Sequence, residues 1–235
     1  MSYFDHLFLF FLCCLILLGC DQQRPVTSIE NTITTVDTLP ADSDNILEEI
    51  DRKTGVQVPT IWYSPRLLIQ QLGDLENKIV ANIGAGPYGY FSFELADEAK
   101  KVIAIDIDPL AIRFIDSTRL LILPPSIQDR LETRLVTPDD PKLRFEEVDI
   151  ITVRETYAYL PNKIQYLKKL KQGMKDSGML LIVDFKMRNL PTGPPQSEKV
   201  PLYQVEKDLA EAGYKIVLVD DTSFAYQYMI IAVKN

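Results

Sequence analysis

The stretch that decides the fold is residues 79–89, which read Ile-Val-Ala-Asn-Ile-Gly-Ala-Gly-Pro-Tyr-Gly. The first five residues form an apolar strand pattern, and a helical pattern follows the glycines. Gly84 permits a tight turn at the end of such a strand, and Gly86 lets a ligand approach the backbone. Asp106 stands 22 residues after Gly84, at the end of the next apolar stretch, where a carboxylate can accept hydrogen bonds from ribose hydroxyls. The stretch therefore predicts a strand-loop-helix unit that binds a ligand.

Strand and helix patterns alternate along the rest of the chain. The strand patterns cover residues 79–83, 102–105, 131–136, 148–153, 179–183, 215–219 and 226–233, and the helical ones cover 65–72, 90–99, 109–120, 161–174 and 205–212. Such alternation predicts a mostly parallel sheet with helices on both faces. Only residues 220–225 separate the last two strands, whereas a crossover between parallel strands needs about 10–12 residues. We therefore expect an α/β fold with a seven-stranded sheet whose last strand is antiparallel.

Five segments, in chain order, resemble the motifs of the class I S-adenosylmethionine (SAM) methyltransferases. They are residues 82–86, which resemble the (Asp/Glu)-x-Gly-x-Gly motif, residues 104–109, which resemble the second motif, and residues 137–141, 148–151 and 167–184, which resemble the third to fifth. The resemblance covers about residues 60–235. It implies a Rossmann-like three-layer sandwich, SAM as cofactor, and transfer of a methyl group to an acceptor.

The resemblance also implies a set of cofactor-binding residues. It places the loop glycines at the methionine moiety, Asp106 at the ribose and Asp139 with its neighbours at the adenine edge; the full set is Asn82, Gly84, Ala85, Gly86, Gly89, Asp106, Ile107 and Asp139. Asn82 departs from the family, because it replaces an acid that orients the loop; its amide can still accept a hydrogen bond but loses the charge-assisted contribution of roughly 1–2 kcal/mol. Two further departures are the longer loop at Pro87-Tyr88 and Thr137 in place of an acid.

Candidate catalytic residues follow the fourth strand, because parallel sheets bind ligands at the carboxyl ends of their strands. The sulfonium of SAM is already activated, so that the protein chiefly aligns the reacting atoms and a general base is optional. Glu155 and Tyr157 are the candidate bases, and Glu155 is the stronger of the two.

A structural interpretation of the same segment stays open. Glu155 can form an ion pair with Arg154 while the neighbouring tyrosines pack beneath the proline-rich loop 190–201. That loop, together with Trp62 and Tyr63, forms either a substrate lid or ordinary packing.

Composition excludes several kinds of chemistry. The chain has 235 residues, of which 46% are hydrophobic and 25% charged, enough to bury a sizeable core. Its single histidine is His6, and its cysteines are Cys13, Cys14 and Cys20, which excludes a catalytic triad, a cysteine nucleophile and a Cys/His metal site from the later residues. Residues 55–235 carry a net charge of −2 out of the total −8, so we expect no nucleic-acid partner.

The first residues indicate where the protein is sent. Residues 7–18 are twelve consecutive apolar residues, shorter than the ~20 that span a bilayer and typical of a signal peptide. Leu17-Leu18-Gly19-Cys20 resembles the bacterial lipobox, in which the cysteine becomes the lipidated N-terminus. The six residues before this apolar run carry Asp5 and no Lys or Arg, unlike most export signals. An uncleaved short anchor or a misplaced start therefore stays an alternative.

The sequence thus predicts a signal peptide with a lipobox at residues 1–20, a flexible acidic tether at 21–54 in which a helix can start near Asp44, and a methyltransferase-like domain at 55–235. The predicted protein is a lipoprotein on the exported side of a bacterial cell membrane, held there through lipidated Cys20, or a cytoplasmic protein if the signal is not used. Its predicted acceptor is a small molecule or a lipid rather than a protein. Two alternatives remain: a catalytically inactive binding module, and an NAD- or nucleotide-binding protein, against which the final hairpin argues.

Overall fold

The computed structural model describes residues 50–55, 65–191 and 193–234. The predicted signal peptide, most of the predicted tether, and Trp62 with Tyr63 lie outside these residues. Within the described part of the chain, no helix is both long and apolar enough to cross a membrane.

Seven strands form one mixed sheet. Their bounds are β1 Ile79–Ile83, β2 Lys101–Asp106, β3 Leu131–Leu135, β4 Val148–Arg154, β5 Met174–Phe185, β6 Tyr214–Asp220 and β7 Gln227–Lys234. The strand order is β3-β2-β1-β4-β5-β7-β6. The pairs among the first five strands are parallel, whereas β7 lies antiparallel to both β5 and β6. The predicted mostly parallel sheet with an antiparallel last strand is confirmed.

Among the described residues, five helices cover the two faces of this sheet, besides the helical residues 50–54. Their bounds are α1 Pro65–Leu72, α2 Tyr90–Glu98, α3 Pro109–Ile122, α4 Lys163–Gly173 and α5 Leu202–Glu211. Consecutive residues of a strand point to opposite faces, and accordingly Val80 packs in the core beneath α1, α2 and α3 while Ala81 packs in the core beneath α4 and α5. The two cores confirm the predicted three-layer sandwich.

Two boundaries differ from the sequence prediction. Met174 fits the helical spacing of α4, but it starts β5 and pairs with Val148. The residues between the predicted helix and the strand predicted from residue 179 belong to β5, and the pairing register with β4 shifts there. Residues 50–54, predicted as part of the tether, are helical, and Ile50 is fully buried in the core of α1, α2 and α3. The folded body therefore includes residues before 55.

Candidate functional site

The glycine loop after β1 is pinned to the end of β2. The N–H groups of Gly84 and Ala85 both donate to the carbonyl oxygen of Ile105, at 2.9 and 3.0 Å. The next residue, Gly86, donates its N–H to Oδ2 of Asp106 at 2.9 Å. The loop and the predicted ribose-binding acid therefore form one unit, held together by main-chain donors.

Asp106 is engaged on both carboxylate oxygens and still has capacity for a ligand. Its Oδ1 accepts the N–H of Asp108 at 2.9 Å, and its Oδ2 accepts from Gly86. A carboxylate oxygen can accept two hydrogen bonds, so one further bond is possible at each. These backbone contacts fix the orientation of the carboxylate before any ligand arrives.

A cavity of about 220 Å³ opens beside the loop, at the carboxyl ends of the parallel strands. Its lining includes the predicted residues Gly84, Gly86, Asp106 and Ile107. It also includes Pro138, a neighbour of Asp139, and Thr156 and Tyr159 from the segment after β4 where catalytic residues are predicted. Leu160, Pro161 and Tyr166 line it as well, and the sequence did not single them out. Most of these residues could have been found in the sequence from their position just after β4. The cavity is smaller than the ~300 Å³ at the lower end of typical ligand sites.

The glycines of the loop serve different purposes. A side chain at Gly86 would meet nothing within 4 Å, so the backbone is open to a ligand there. A Cβ at Gly84 would lie 2.1 Å from Oγ1 of Thr156. One at Gly89, the residue before α2, would lie 2.5 Å from the side chain of Ile115. Gly89, predicted to bind cofactor, thus makes room for helix packing instead, and it does not line the cavity.

Asn82 also faces the protein interior. Its Nδ2 donates to Oγ of Ser92 on α2, and its Oδ1 accepts from Oγ1 of Thr152 on β4, both at 2.9 Å. All three side chains are buried, and none lines the cavity. The predicted contact between Asn82 and the cofactor is therefore not supported. The Asn82 amide donates one hydrogen bond and accepts another, and it thereby links β1 to helix α2 and to strand β4.

The segment after β3 contributes to the cavity through Val136 and Pro138 rather than Asp139. The Asp139 carboxylate is exposed, and a hydrogen bond from the Thr137 hydroxyl lowers its pKa. The carbonyl oxygen of Asp139 accepts from Nζ of Lys169 at 2.6 Å. Ile107, by contrast, is 56% exposed and lines the cavity as predicted.

Tyr157 does not support the role of a general base. It is fully buried, and its hydroxyl donates to Oδ2 of Asp208 on α5 at 2.8 Å. Burial and that carboxylate raise its pKa. Tyr157 does not line the cavity, so the structure does not favour this phenol as the base.

Glu155 combines a strained backbone with an oriented side chain. It adopts φ 52°, in the left-handed region, and its N–H donates to the carbonyl oxygen of Val183 at 2.8 Å. Strain of this kind costs on the order of 1–3 kcal/mol and clusters at functional sites. Oε1 of Glu155 accepts from Nε2 of Gln227 at 2.8 Å and lies 3.8 Å from Nη1 of Arg154. The ion pair with Arg154, the structural alternative, is thus present.

The second tyrosine after β4 contacts the loop that follows β5. The hydroxyl of Tyr159 donates to Oε2 of Glu198 at 2.9 Å, within the short 3-10 turn Gln196–Glu198. The same tyrosine lines the cavity. This contact agrees with the interpretation in which a tyrosine packs against the loop 190–201.

A second and larger depression lies away from the glycine loop. This groove between α4 and α5 measures about 680 Å³ and is lined by polar residues such as Lys163, Lys168 and Gln204. Across the described ranges, no cluster of His, Cys, Asp and Glu side chains is arranged to hold a metal ion.

Comparison with known sequences gives one local match. No protein-family model matches the chain. The tRNA (guanine(37)-N(1))-methyltransferase Trm5b of Pyrococcus abyssi is 32% identical over 98 residues, which are 38% of this chain and 29% of that protein. The chain therefore spans less than a third of the length of this curated relative.

Comparison with solved structures is broader. A SAM-dependent methyltransferase from Aquifex aeolicus superposes with a TM-score of 0.69 at 21% identity, covering 83% of this chain and 100% of that one. The cyclase SpnF superposes with a TM-score of 0.61 at 13% identity, covering 72% of this chain and 80% of that one. Identities this low carry the fold and not the activity. The seven-stranded sheet is that of the Rossmann-like class I SAM-dependent methyltransferases.

Proposed function

We propose that this protein is a SAM-dependent methyltransferase. The observation that carries the proposal is the Asp106 carboxylate, bound to the Gly86 N–H at 2.9 Å where both residues line the cavity. A fixed carboxylate beside an open glycine backbone is suited to a ribose and the group joined to it. The fold shared with SAM-dependent methyltransferases supports this assignment.

The lining of the cavity fits SAM. Asp106 would accept the ribose hydroxyls, and the open backbone at Gly86 would lie against the methionine part. Ile107 and Pro138 offer apolar surface suited to an adenine ring. When bound, SAM supplies a methyl group on a positively charged sulfur, and no further activation of that group is required.

Glu155 is the residue that we propose to receive a proton from the acceptor. It follows the end of β4 and precedes Thr156, which lines the cavity. Gln227 holds its Oε1, so the second oxygen is the one available to a proton. Nη1 of Arg154 also lies 3.8 Å from Oε1. Because the methyl donor is already activated, this base speeds the reaction without being essential to it.

We propose a small molecule or a lipid as the acceptor. The curated relative is named for methylation of a guanine in tRNA, but the match covers a small part of that protein. Tight RNA binding draws on neutralised phosphates, and residues 55–235 of this chain have a net charge of −2. A small or membrane-bound acceptor is more consistent with that balance.

Calorimetric titration of the full-length protein with SAM and S-adenosylhomocysteine tests the proposal. We expect micromolar binding of both, at least 100-fold weaker in Asp106→Ala. Asp108→Ala is the matched control, because the Asp108 side chain caps α3 by accepting the N–H of Leu110, while the Asp108 N–H that binds Asp106 is kept in the variant. Its affinity should change less than about threefold. Absence of binding at millimolar concentrations would refute the proposed function.

A non-catalytic binding module is the second candidate. It is favoured by the cavity lining, in which Asp106 is the single carboxylate among the described residues, and by the burial of Tyr157. Tritium-labelled SAM incubated with lipid and small-molecule extracts separates the two candidates. Methylated product that disappears in Asp106→Ala supports the enzyme. Tight binding without any transfer supports the module.

We further propose that a lipidated Cys20 anchors the protein to the bacterial membrane. The support is the lipobox-like Leu17-Leu18-Gly19-Cys20 after an apolar run. Radiolabelled palmitate should enter the wild-type protein and the Cys13→Ser control, but not Cys20→Ser. Label that persists in Cys20→Ser would refute the anchor.

A further inference from the structure

The 3-10 turn Tyr157–Tyr159 forms part of the cavity wall and is tied to the surrounding fold at each of its residues. The Tyr157 hydroxyl reaches α5, and the Tyr159 hydroxyl reaches the turn that contains Glu198. Ala158 has no polar side chain, so the fold can grip it only through its backbone. The contact that does so comes from a buried carboxylate on β5.

That carboxylate belongs to Asp184, the residue before the end of β5, which is 2% exposed. Its Oδ2 accepts the N–H of Ala158 at 3.1 Å, and its Oδ1 accepts the N–H of Phe185 at 2.7 Å. Both acceptors are therefore directed at backbone donors. One of these donors belongs to its own strand and the other to the turn after β4.

Lys163 holds the same residue from the opposite side. Its Nζ donates to the carbonyl oxygens of Ala158 and Leu160, each at 3.0 Å. A negative group on the N–H and a positive group on the carbonyl oxygen fix Ala158 between them. The turn is thus held by charge-assisted bonds on both sides, beyond its own bond from the Tyr159 N–H to the Thr156 carbonyl oxygen.

Holding this carboxylate in the interior has a cost. Burial raises the pKa of Asp184 to about 6, while the bonds from Phe185 and Ala158 lower it. The ionisable groups that face Asp184 are Glu155, Tyr157 and Tyr159 beside it, Lys163 on α4 and Tyr228 on β7. An apolar residue at this position would avoid the cost of ionisation. The carboxylate does, however, accept the hydrogen bond from the Ala158 N–H that holds the turn in place.

We infer that Asp184 is a positioning residue for the cofactor cavity, acting through the N–H of Ala158 to keep Thr156, Tyr159 and Leu160 on the cavity wall. This inference rests on the proposed function for the identity of the ligand. The hydrogen bond from Ala158 to Asp184 forms within the protein, so it can be measured without a ligand.

The first measurement is amide hydrogen exchange of the full-length protein by NMR. Asp184→Asn should speed exchange at Ala158 at least tenfold, because the charge-assisted bond is lost. The matched control is Asp149→Asn. Asp149 also binds a backbone donor, the N–H of Ile79 at 2.8 Å, but it lies at the opposite edge of the sheet. This control should leave exchange at Ala158 unchanged.

The second measurement is the affinity for S-adenosylhomocysteine as a function of pH. At pH 8 Asp184→Asn should bind at least tenfold more weakly than the wild type. At pH 5, where Asp184 is protonated in the wild type, the two affinities should converge to within about twofold. A role confined to packing would weaken binding equally at both pH values. The ratio of the two affinities cancels the titration of other groups.

Unchanged hydrogen exchange at Ala158 in Asp184→Asn would show that the Asp184 carboxylate does not hold the Ala158 N–H. Faster exchange with equal affinity at pH 8, or a ratio that does not change with pH, would overturn the positioning role. A wild-type protein that binds no S-adenosylhomocysteine refutes the proposed function and with it the positioning role. In that case the exchange measurement still shows whether Asp184 holds the Ala158 N–H, so the two failures are distinguishable.

Discussion

The glycine loop after β1 and the turn after β4 lie at the same edge of the sheet, but they are held in opposite ways. The loop is fixed by main-chain donors, and its Gly86 binds an acid only 20 residues away. The turn is fixed by side chains from distant parts of the chain. Its partners Asp184, Glu198 and Asp208 stand 26, 39 and 51 residues from the groups they bind.

This difference explains what could be predicted from the sequence. Gly84, Gly86, Asp106 and Ile107 form a local pattern, because a strand that ends in glycines dictates the backbone conformation. The partner of Tyr157 could not be predicted, because Asp208 belongs to a helix whose packing depends on the whole sheet. The final hairpin was predictable, since a six-residue connection leaves a single arrangement.

Asn82 shows the same limit within the loop itself. The sequence placed it correctly at the end of β1, but not the direction in which its side chain points. That direction depends on Ser92 and Thr152, ten and 70 residues away. The burial of Ile50 was not predicted for a similar reason, since a short apolar stretch within a polar segment carries no periodic signal.

The largest expected effect comes from Gly84→Ala. The new Cβ would lie 2.1 Å from Oγ1 of Thr156 and 2.9 Å from its Cβ, at a backbone φ of 70°. We expect the free energy of unfolding to fall by roughly 3–5 kcal/mol, measured by urea denaturation. The double variant Gly84→Ala with Thr156→Gly should recover part of this loss. A loss below about 1 kcal/mol in the single variant would show that loop and turn are not in contact.

Gly86→Ala should separate stability from binding. At φ 76° with nothing within 4 Å of the new Cβ, it should lower the free energy of unfolding by only about 1 kcal/mol. We expect the affinity for S-adenosylhomocysteine to fall at least 30-fold, since the side chain enters the cavity. Calorimetry measures this effect. Unchanged affinity would mean that no ligand approaches the loop at Gly86.

The next effect concerns Glu94, on the helix that follows the glycine loop. Its Oε1 is buried with no hydrogen-bond partner among the described residues, and burial raises its pKa from 4.5 to about 7. A raised pKa stabilises the fold fully below about pH 4.5, and this contribution is lost as the pH rises through 7. Glu94→Gln should therefore gain about 2 kcal/mol at pH 8 relative to the wild type and nothing at pH 4.

Urea denaturation across this pH range measures the effect of Glu94→Gln. Glu76→Gln is the control, because Glu76 is exposed and is not among the charged groups that act on Glu94. It should leave the pH dependence of unfolding unchanged. A Glu94→Gln curve parallel to that of the wild type would show that Glu94 does not titrate in this range.

The smallest effect distinguishes the two tyrosines of the turn. Tyr157→Phe leaves the buried Asp208 without one donor and should cost about 1–2 kcal/mol of stability. Tyr159→Phe removes an exposed hydrogen bond to Glu198 and should cost less than about 0.5 kcal/mol. Thermal and urea unfolding measure both. A Tyr157→Phe variant with normal stability but no binding or transfer would restore a catalytic role for Tyr157.

The most direct test of the central claim is the location of the cofactor site. Backbone amide NMR spectra of the protein titrated with S-adenosylhomocysteine report which residues respond to the ligand. We predict saturable shifts concentrated at Gly84, Gly86, Ile107 and Tyr159. Shifts confined to the groove between α4 and α5, or no shifts at millimolar ligand, would contradict the assignment of the glycine-loop cavity as a SAM site.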